Sequence, residues 1–269
     1  MSKEIIIRQI SMVFQGRGEP TIALDKVDLY LEAGRFGSII GPSGCGKSTL
    51  LRLVADIMQP SSGTVTVGGQ SPRDVRRKNA FGFVFQTPTL LPWRSVRQNV
   101  ELPLAIVGRD SSRIADAGSA ALLELVGLKG FEEALPHELS GGMQQRAAIA
   151  RALMLKPDVL LLDEPFGALD EITRQRMNLE LLRIWTETGT TALLVTHSIA
   201  EAVFMSDEVF VMSSRPGRVT QTIDIPLARP RELAMMRSQT FFDCVNRIRD
   251  GLFGEERGEV SAPGLVESY

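Results

Sequence analysis

Residues Gly41-Pro42-Ser43-Gly44-Cys45-Gly46-Lys47-Ser48-Thr49 carry the spacing G-x-x-x-x-G-K-[S/T] of a phosphate-cradling loop. Glycines let the backbone curl so that successive N–H groups face a polyphosphate, and a helix starting behind the loop adds partial positive charge. Lys47 is placed to reach β- and γ-phosphates, and the Ser48 hydroxyl to ligate Mg²⁺. A glycine-rich turn without a ligand would use the same glycines, so the context decides. Phe36 to Ile40 reads as a short buried strand, and Ser48 to Ala55 opens a helix with one apolar face. Strand, loop and helix follow in the order a phosphate site needs.

Further chemistry-bearing residues follow. Leu160-Leu161-Leu162-Asp163-Glu164-Pro165 is an apolar strand ending in two carboxylates, as expected where a parallel strand delivers acids to a crevice. Asp163 would help hold Mg²⁺ through water, and Glu164 suits a general base that orients and deprotonates an attacking water. Alone, the pair would be a solvated strand end; Lys47 upstream changes that weight. Leu139 to Arg146 introduces a helix with Ser140 as N-cap, and Met143, Ala147, Ala150 and Met154 along a buried stripe. Gly141 and Gly142 leave the first N–H groups open to a second anion. Gln86, after Phe83-Val84-Phe85, and His197, after Leu193 to Thr196, each end a strand. In isolation either reads as a satisfied loop polar residue.

The elements that must position these residues are legible in outline. At 269 residues the chain holds one large domain, or one with a modest appendage. A net charge of −2 with near-neutral mean hydropathy argues against a nucleic-acid protein. No run approaches the roughly 18 apolar residues of a membrane span, and Met1 to Ile5 lacks a signal-peptide core, so a cytosolic protein is expected. The two cysteines, Cys45 and Cys244, have no metal-ligand company and fit a reducing compartment.

The first third is β-rich: Glu4 to Phe14 and Asp25 to Leu31 alternate, and Gly63 to Gly68 is a strand ended by a glycine turn. Between the phosphate loop and residue 155 the pattern turns helical, with Ile114, Ala117, Ala121, Leu125 and Leu128 as one stripe. Val159 to Leu162 and Thr191 to Val195 are continuous apolar runs separated by a helical stretch from Ile172 to Trp185. That alternation predicts an α/β fold with a parallel sheet covered on both faces. Asp207 to Ile225 reads as a hairpin turning at Pro216-Gly217. Beyond Pro230, the spacing of Leu233, Met236, Phe241, Val245 and Ile248 predicts one helical face packed on the main domain rather than on a membrane. Gly254 to Tyr269 reads as a frayed polar tail.

Taken together these residues resemble the ATPase subunit of ATP-binding-cassette (ABC) transporters. Walker A corresponds to Gly41 to Ser48, the Q-loop to Gln86 and the signature to Leu139 to Arg146. Walker B corresponds to Leu160 to Glu164, the D-loop to Ala168-Leu169-Asp170, and the switch histidine to His197. The resemblance covers nearly the whole chain. It implies a P-loop NTPase core with a parallel sheet, an N-terminal antiparallel β subdomain and an inserted α-helical subdomain at about 87–155. The cassette would span 1–230, followed by a C-terminal helical extension and tail at 231–269.

The same resemblance implies ATP and Mg²⁺ as cofactors and a head-to-tail homodimer. Gly41, Ser43, Gly44, Cys45, Gly46, Lys47, Ser48 and Thr49 of one subunit would hold ATP. Ser140, Gly141 and Gly142 of the other would close over it. Phe14 would stack on adenine, in place of the Tyr common in the family. Gln86 would touch Mg²⁺ and the nucleophilic water, His197 would grip the γ-phosphate, and Asp170 would help order the opposite site. Two departures are visible: Asp56 stands where Gly usually follows the Walker A helix, and Ser198 replaces the Asp that commonly follows the switch histidine.

Thr89 to Val96, Ser213 to Arg218 and Pro226 to Arg231 resemble importer ATPases of the nitrate, sulfonate and taurine class. The implied partners are transmembrane permease subunits, with a solute-binding protein in the same system and no nucleic acid. The implied place is the cytoplasm, peripheral on the inner face of the cell membrane. The alternatives are the ATPase of an ABC exporter or lipid-trafficking complex, or a non-transport ABC ATPase. A DNA-repair cassette would need a long coiled-coil insertion, for which residues 49–139 leave no room. Leu90-Leu91-Pro92-Trp93 puts a large ring in a proline-bounded loop. Two readings of it stay open: Trp93 tucks into its own helical subdomain, or it receives a coupling helix of the permease.

Overall fold

A computed structural model describes residues 2–16, 19–107 and 118–253. The chain opens with strands β1 (Ile5–Phe14), β2 (Thr21–Leu31) and β3 (Phe36–Ile40), then helix α1 (Lys47–Val54) and strand β4 (Ser62–Val67). Helix α2 (Pro72–Arg77) and strand β5 (Phe81–Val84) precede four helices, α3 (Val96–Val100), α4 (Leu102–Val107), α5 (Gly118–Leu125) and α6 (Gly141–Leu153). Then come β6 (Val159–Asp163), α7 (Glu171–Thr188), β7 (Thr191–Thr196), α8 (Ile199–Met205), β8 (Glu208–Met212), β9 (Val219–Asp224) and α9 (Gln239–Phe253).

The alternating N-terminal segments pair as an antiparallel sheet in the order β2-β1-β4, with Ile5 opposite both Leu31 and Val67. The continuous apolar runs form a second sheet in the order β5-β6-β7-β3-β8-β9, parallel except for β9, which closes an antiparallel hairpin with β8. Every residue of β3, β6, β7 and β8 is buried, as a strand covered on both faces must be. Alternate residues divide between two cores. Ile40, Leu160, Leu162 and Leu194 face the side of α6 to α9, whereas Ile39, Leu161, Leu193 and Val195 face α1 and the antiparallel sheet.

Strand register aims the chemistry. Ile40, just before the glycine loop, pairs with Thr196, just before His197, and Asp163 pairs with Val195. The loop, the two carboxylates and the histidine therefore emerge together at the C-terminal edge of the parallel strands, where α/β sheets bind ligands.

Two expectations need correction. The single helical face from Leu233 to Ile248 is broken: Leu233–Arg237 is a 3₁₀ turn, and Ser238 starts a new helix by accepting a hydrogen bond from the Phe241 N–H. Leu233 is exposed, and Cys244 joins Phe241 and Ile248 on the buried side of α9, which packs on α8, β8 and β9. In α5 the buried apolar residues are Leu122 and Leu123, followed by Val126 and Leu128 beyond the helix end, with Ala121 and Leu125 only at the margin. Ile114, Ala117 and the tail from Gly254 lie outside the described residues. Asp56, which stands in place of the usual Gly just past α1, is accommodated in both backbone and charge. Its backbone takes the left-handed conformation (φ 57°) that favours Gly there, and its buried carboxylate pairs with Arg76 at 2.8 Å. Among the described residues no helix is long and apolar enough to cross a membrane.

Candidate functional site

The glycine loop needs its glycines. Gly46 caps α1 at φ 106°, and a Cβ there would lie 2.7 Å from the Leu24 side chain and 3.1 Å from the Ala23 carbonyl. At Gly41 a Cβ would come within 2.9 Å of both Cys45 Sγ and the Met212 carbonyl. Gly41 and buried Cys45 thus shape the loop from behind. Lys47 is the first residue of α1, and its buried ammonium donates to the carbonyls of Gly41 at 2.8 Å and Pro42 at 2.9 Å. A cavity of about 280 Å³ opens in front, lined by Phe14, Thr21, Ala23, the loop residues Ser43, Gly44 and Gly46 to Thr49, Glu164 and Arg215.

Ser48 Oγ donates to Asp163 Oδ1 at 2.7 Å, bridging α1 and the end of β6. Burial pushes the Asp163 carboxyl above its ordinary range, against the pull of the Ser48 hydrogen bond and of Arg52, whose guanidinium lies 3.9 Å away. Glu164 follows with φ 44°, a left-handed backbone that a non-glycine residue adopts only under constraint. Its N–H donates to the Val195 carbonyl at 2.9 Å, and its Oε2 lies 3.0 Å from His197 Nδ1. Behind the histidine, Thr196 Oγ1 donates to the buried Glu201 carboxylate and accepts the Ser198 N–H at 3.0 Å. Ser198 Oγ in turn accepts the Glu201 N–H at 3.3 Å and caps α8, so serine serves the turn as an aspartate would. Burial raises the Glu201 carboxyl, opposed by hydrogen bonds from Thr196 and Asn178.

Other sequence candidates lie apart. Gln86 sits at an exposed bend two residues past β5 and does not line the cavity. The preceding Phe85 carbonyl accepts a bond from buried Gln145 at 3.0 Å, which ties that bend to α6. Ser140 caps α6 by accepting the Met143 N–H, with Gly141 facing open space. Asp170 caps α7 by accepting the Thr173 N–H at 3.0 Å, and the position of a Gly142 Cβ lies 3.8 Å from Thr173. Ser140 to Gly142 and Asp170 therefore share one exposed face, separate from the cavity.

A family model described as ABC transporter matches residues 24–167, more than half of the chain. The chain belongs to the ABC transporter family. The nitrate import ATP-binding protein of Synechocystis is 42% identical over 95% of this chain and 97% of its own length. The taurine import ATP-binding protein of a Jannaschia species is 44% identical over 83% of each chain. The aliphatic sulfonates import ATP-binding protein of Bacillus subtilis is 42% identical over 86% of this chain and 88% of its own. Among solved structures, a post-hydrolysis dimer of the ATP-binding cassette MJ0796 with ADP and Pi superposes with a TM-score of 0.72. It is 32% identical and matches 83% of this chain and all of that one. This ABC protein is an ATPase with the fold of those cassettes.

Four residues at this candidate site are not among the sequence candidates: Thr21 and Ala23, which line the cavity beside Phe14, Arg52, which pairs with Asp163, and Arg215. Arg52 is three residues beyond the loop on an amphipathic helix. Nothing in that pattern marks it from any solvated arginine.

Proposed function

We propose that the protein is the ATP-hydrolysing subunit that energises an importer for a small solute of the nitrate, sulfonate and taurine class. The observation that carries the catalytic part is the convergence of Ser48, Asp163, Glu164 and His197 beside Lys47 at one edge of the sheet. In this reading the loop N–H groups and Lys47 bind the β- and γ-phosphates, and Lys47 exchanges its two carbonyl partners for phosphate oxygens. Phe14, 40% exposed at the end of β1, offers its ring to adenine. Glu164 accepts the proton of the attacking water, and His197 holds both Glu164 and the γ-phosphate.

The donor set suits Mg²⁺. Ser48 and Asp163 supply hard oxygen ligands, while the described residues hold no cluster of three acidic, histidine or cysteine side chains that would cage an ion unaided. A metal bound by one or two protein oxygens together with substrate phosphates is the usual magnesium arrangement. Bound there, Mg²⁺ would neutralise phosphate charge as the bond to the leaving group breaks.

Ser140, Gly141, Gly142 and Asp170 do not line the subunit's own cavity, and Gly141 borders open space. That placement favours a head-to-tail homodimer in which each signature closes the other subunit's nucleotide. Gln86 would then report between nucleotide and permease, with Gln145 linking its loop to the signature helix. We place the subunit on the inner face of the cell membrane, bound to permease subunits of a system that includes a solute-binding protein. The helices α3 to α6 form the inserted helical subdomain, about 87–155, of a cassette spanning 1–230; 231–269 is the C-terminal extension.

Titration calorimetry of Lys47→Ala tests the site assignment. MgATP affinity should fall by at least about 100-fold, since the loop loses its charged donor to phosphate. Unchanged affinity would mean that nucleotide binds elsewhere.

A further inference from the structure

The turn between β8 and β9 is built against the nucleotide loop. Gly217 donates its N–H to the Ala23 carbonyl at 2.9 Å and accepts the Asp25 N–H at 3.1 Å, so the turn is stitched to β2. The fit is close enough that a Cβ at Gly217 would lie 2.0 Å from the Cys45 carbonyl oxygen. Ser213 Oγ braces the turn internally, donating to the Pro216 carbonyl at 3.1 Å and accepting the Arg218 N–H at 3.0 Å. Two arginines project from this frame, and they differ. Arg218 is neutralised by the Asp25 carboxylate. Arg215 lines the cavity beside Phe14, Lys47 and Thr49, where its Nη2 donates to the Gly44 carbonyl at 3.1 Å, and it has no carboxylate partner among the described residues.

We infer that Arg215 is a second cationic contact for the phosphates of the bound nucleotide, reaching over the glycine loop from the β8–β9 turn. A guanidinium stays charged throughout the physiological range and keeps four N–H donors beyond the one given to Gly44. It stands on a turn braced by Ser213, and its bond to the Gly44 carbonyl already holds the side chain over the loop. Lys47 acts from beneath the loop and Arg215 from its outer lip, and only the outer one is open to solvent and therefore to salt screening. This inference rests on the cavity being the nucleotide site.

The test is titration calorimetry of MgATP and MgADP on the full chain, at low and high salt, with Arg215→Lys and Arg215→Gln. Arg215→Gln keeps a polar amide but loses the charge. It should weaken both nucleotides about 5- to 10-fold at low salt, with the gap narrowing at high salt, while Arg215→Lys recovers much of the loss. Wild-type affinity in Arg215→Gln overturns the inference. So does an equal loss at both salt concentrations in Arg215→Gln and Arg215→Lys, which would make Arg215 a brace for the loop. Lys47→Ala, measured alongside, separates the two failures. If it abolishes binding while Arg215→Gln is silent, only the role of Arg215 falls. If Lys47→Ala binds normally, the nucleotide site itself has been misplaced and the inference falls with it.

Discussion

His197 Nδ1 lies 3.0 Å from Glu164 Oε2, joining the ends of β7 and β6 although the two residues are 33 positions apart. Both strands deliver their side chain to the same edge because Asp163 and Val195 are in register, and the Glu164 N–H is itself bonded to the Val195 carbonyl. The imidazole therefore fixes the direction in which the carboxylate points. In the role proposed for Glu164, that of base for the attacking water, this restraint matters, because a misplacement of about an ångström can cost roughly 100-fold in rate.

His197→Ala should accordingly lower phosphate release at saturating MgATP by on the order of 100-fold, with nucleotide affinity changed much less. The phosphate-release assay separates the two effects. Wild-type turnover in this variant would show that the contact is only structural.

Trp93 stands outside the core, 73% exposed, on a loop that is nonetheless well held. Buried Asn99 grips that loop, accepting the Leu91 N–H at 2.7 Å and donating to the carbonyls of Leu91 and Arg94. A rigid loop presenting a bare indole fits a docking surface better than an internal prop. Trp93→Ala should leave the stability and basal hydrolysis of the isolated subunit near wild type, within about 0.5 kcal/mol for folding. Transport in vesicles reconstituted with the permease should fall by about 10-fold or more, as expected for loss of an interface hot spot. Untouched transport would move the docking site elsewhere.

Glu208 gives the fold a pH dependence. Burial pushes its carboxyl from 4.5 up to about 7, eased by Arg35 at 4.0 Å and reinforced by the charges of Asp224, directly opposite on β9, and of Asp207 and Glu32. A folded-state pKa above the unfolded value means that the native state holds the extra proton. The associated stability is complete below about pH 4.5 and is lost as pH rises through about 7. The loss is on the order of 3 kcal/mol. Chemical denaturation across this range should show the decline for wild type and a flatter profile for Glu208→Gln, whose amide cannot ionise. Identical profiles would remove Glu208 as the cause.

Much of this was legible in the sequence because the decisive residues are local to their elements. Asp163 and Glu164 follow an unbroken leucine run, His197 follows another, and Lys47 sits at a strand–loop–helix junction, so each motif carries its own placement. What escaped depended on distance or on a continuing period. The partner of Asp56 is Arg76 on another helix, and no pattern along the chain announces that pairing. The apolar spacing from Leu233 to Ile248 continues through Ser238, although the serine hydroxyl starts a fresh helix there. Arg215 lies in a segment that resembles importer ATPases, but only the packing of Gly217 on the glycine loop, far away in sequence, carries it to the cavity.

The proposed role of Glu164, activation of the water that cleaves ATP, is decided by the phosphate-release rate of Glu164→Gln at saturating MgATP. The amide keeps the size of the side chain and loses the proton acceptor. The rate should fall by about 100- to 10,000-fold while MgATP still binds with near wild-type affinity. Full hydrolytic activity in Glu164→Gln would mean that Glu164 is not the base.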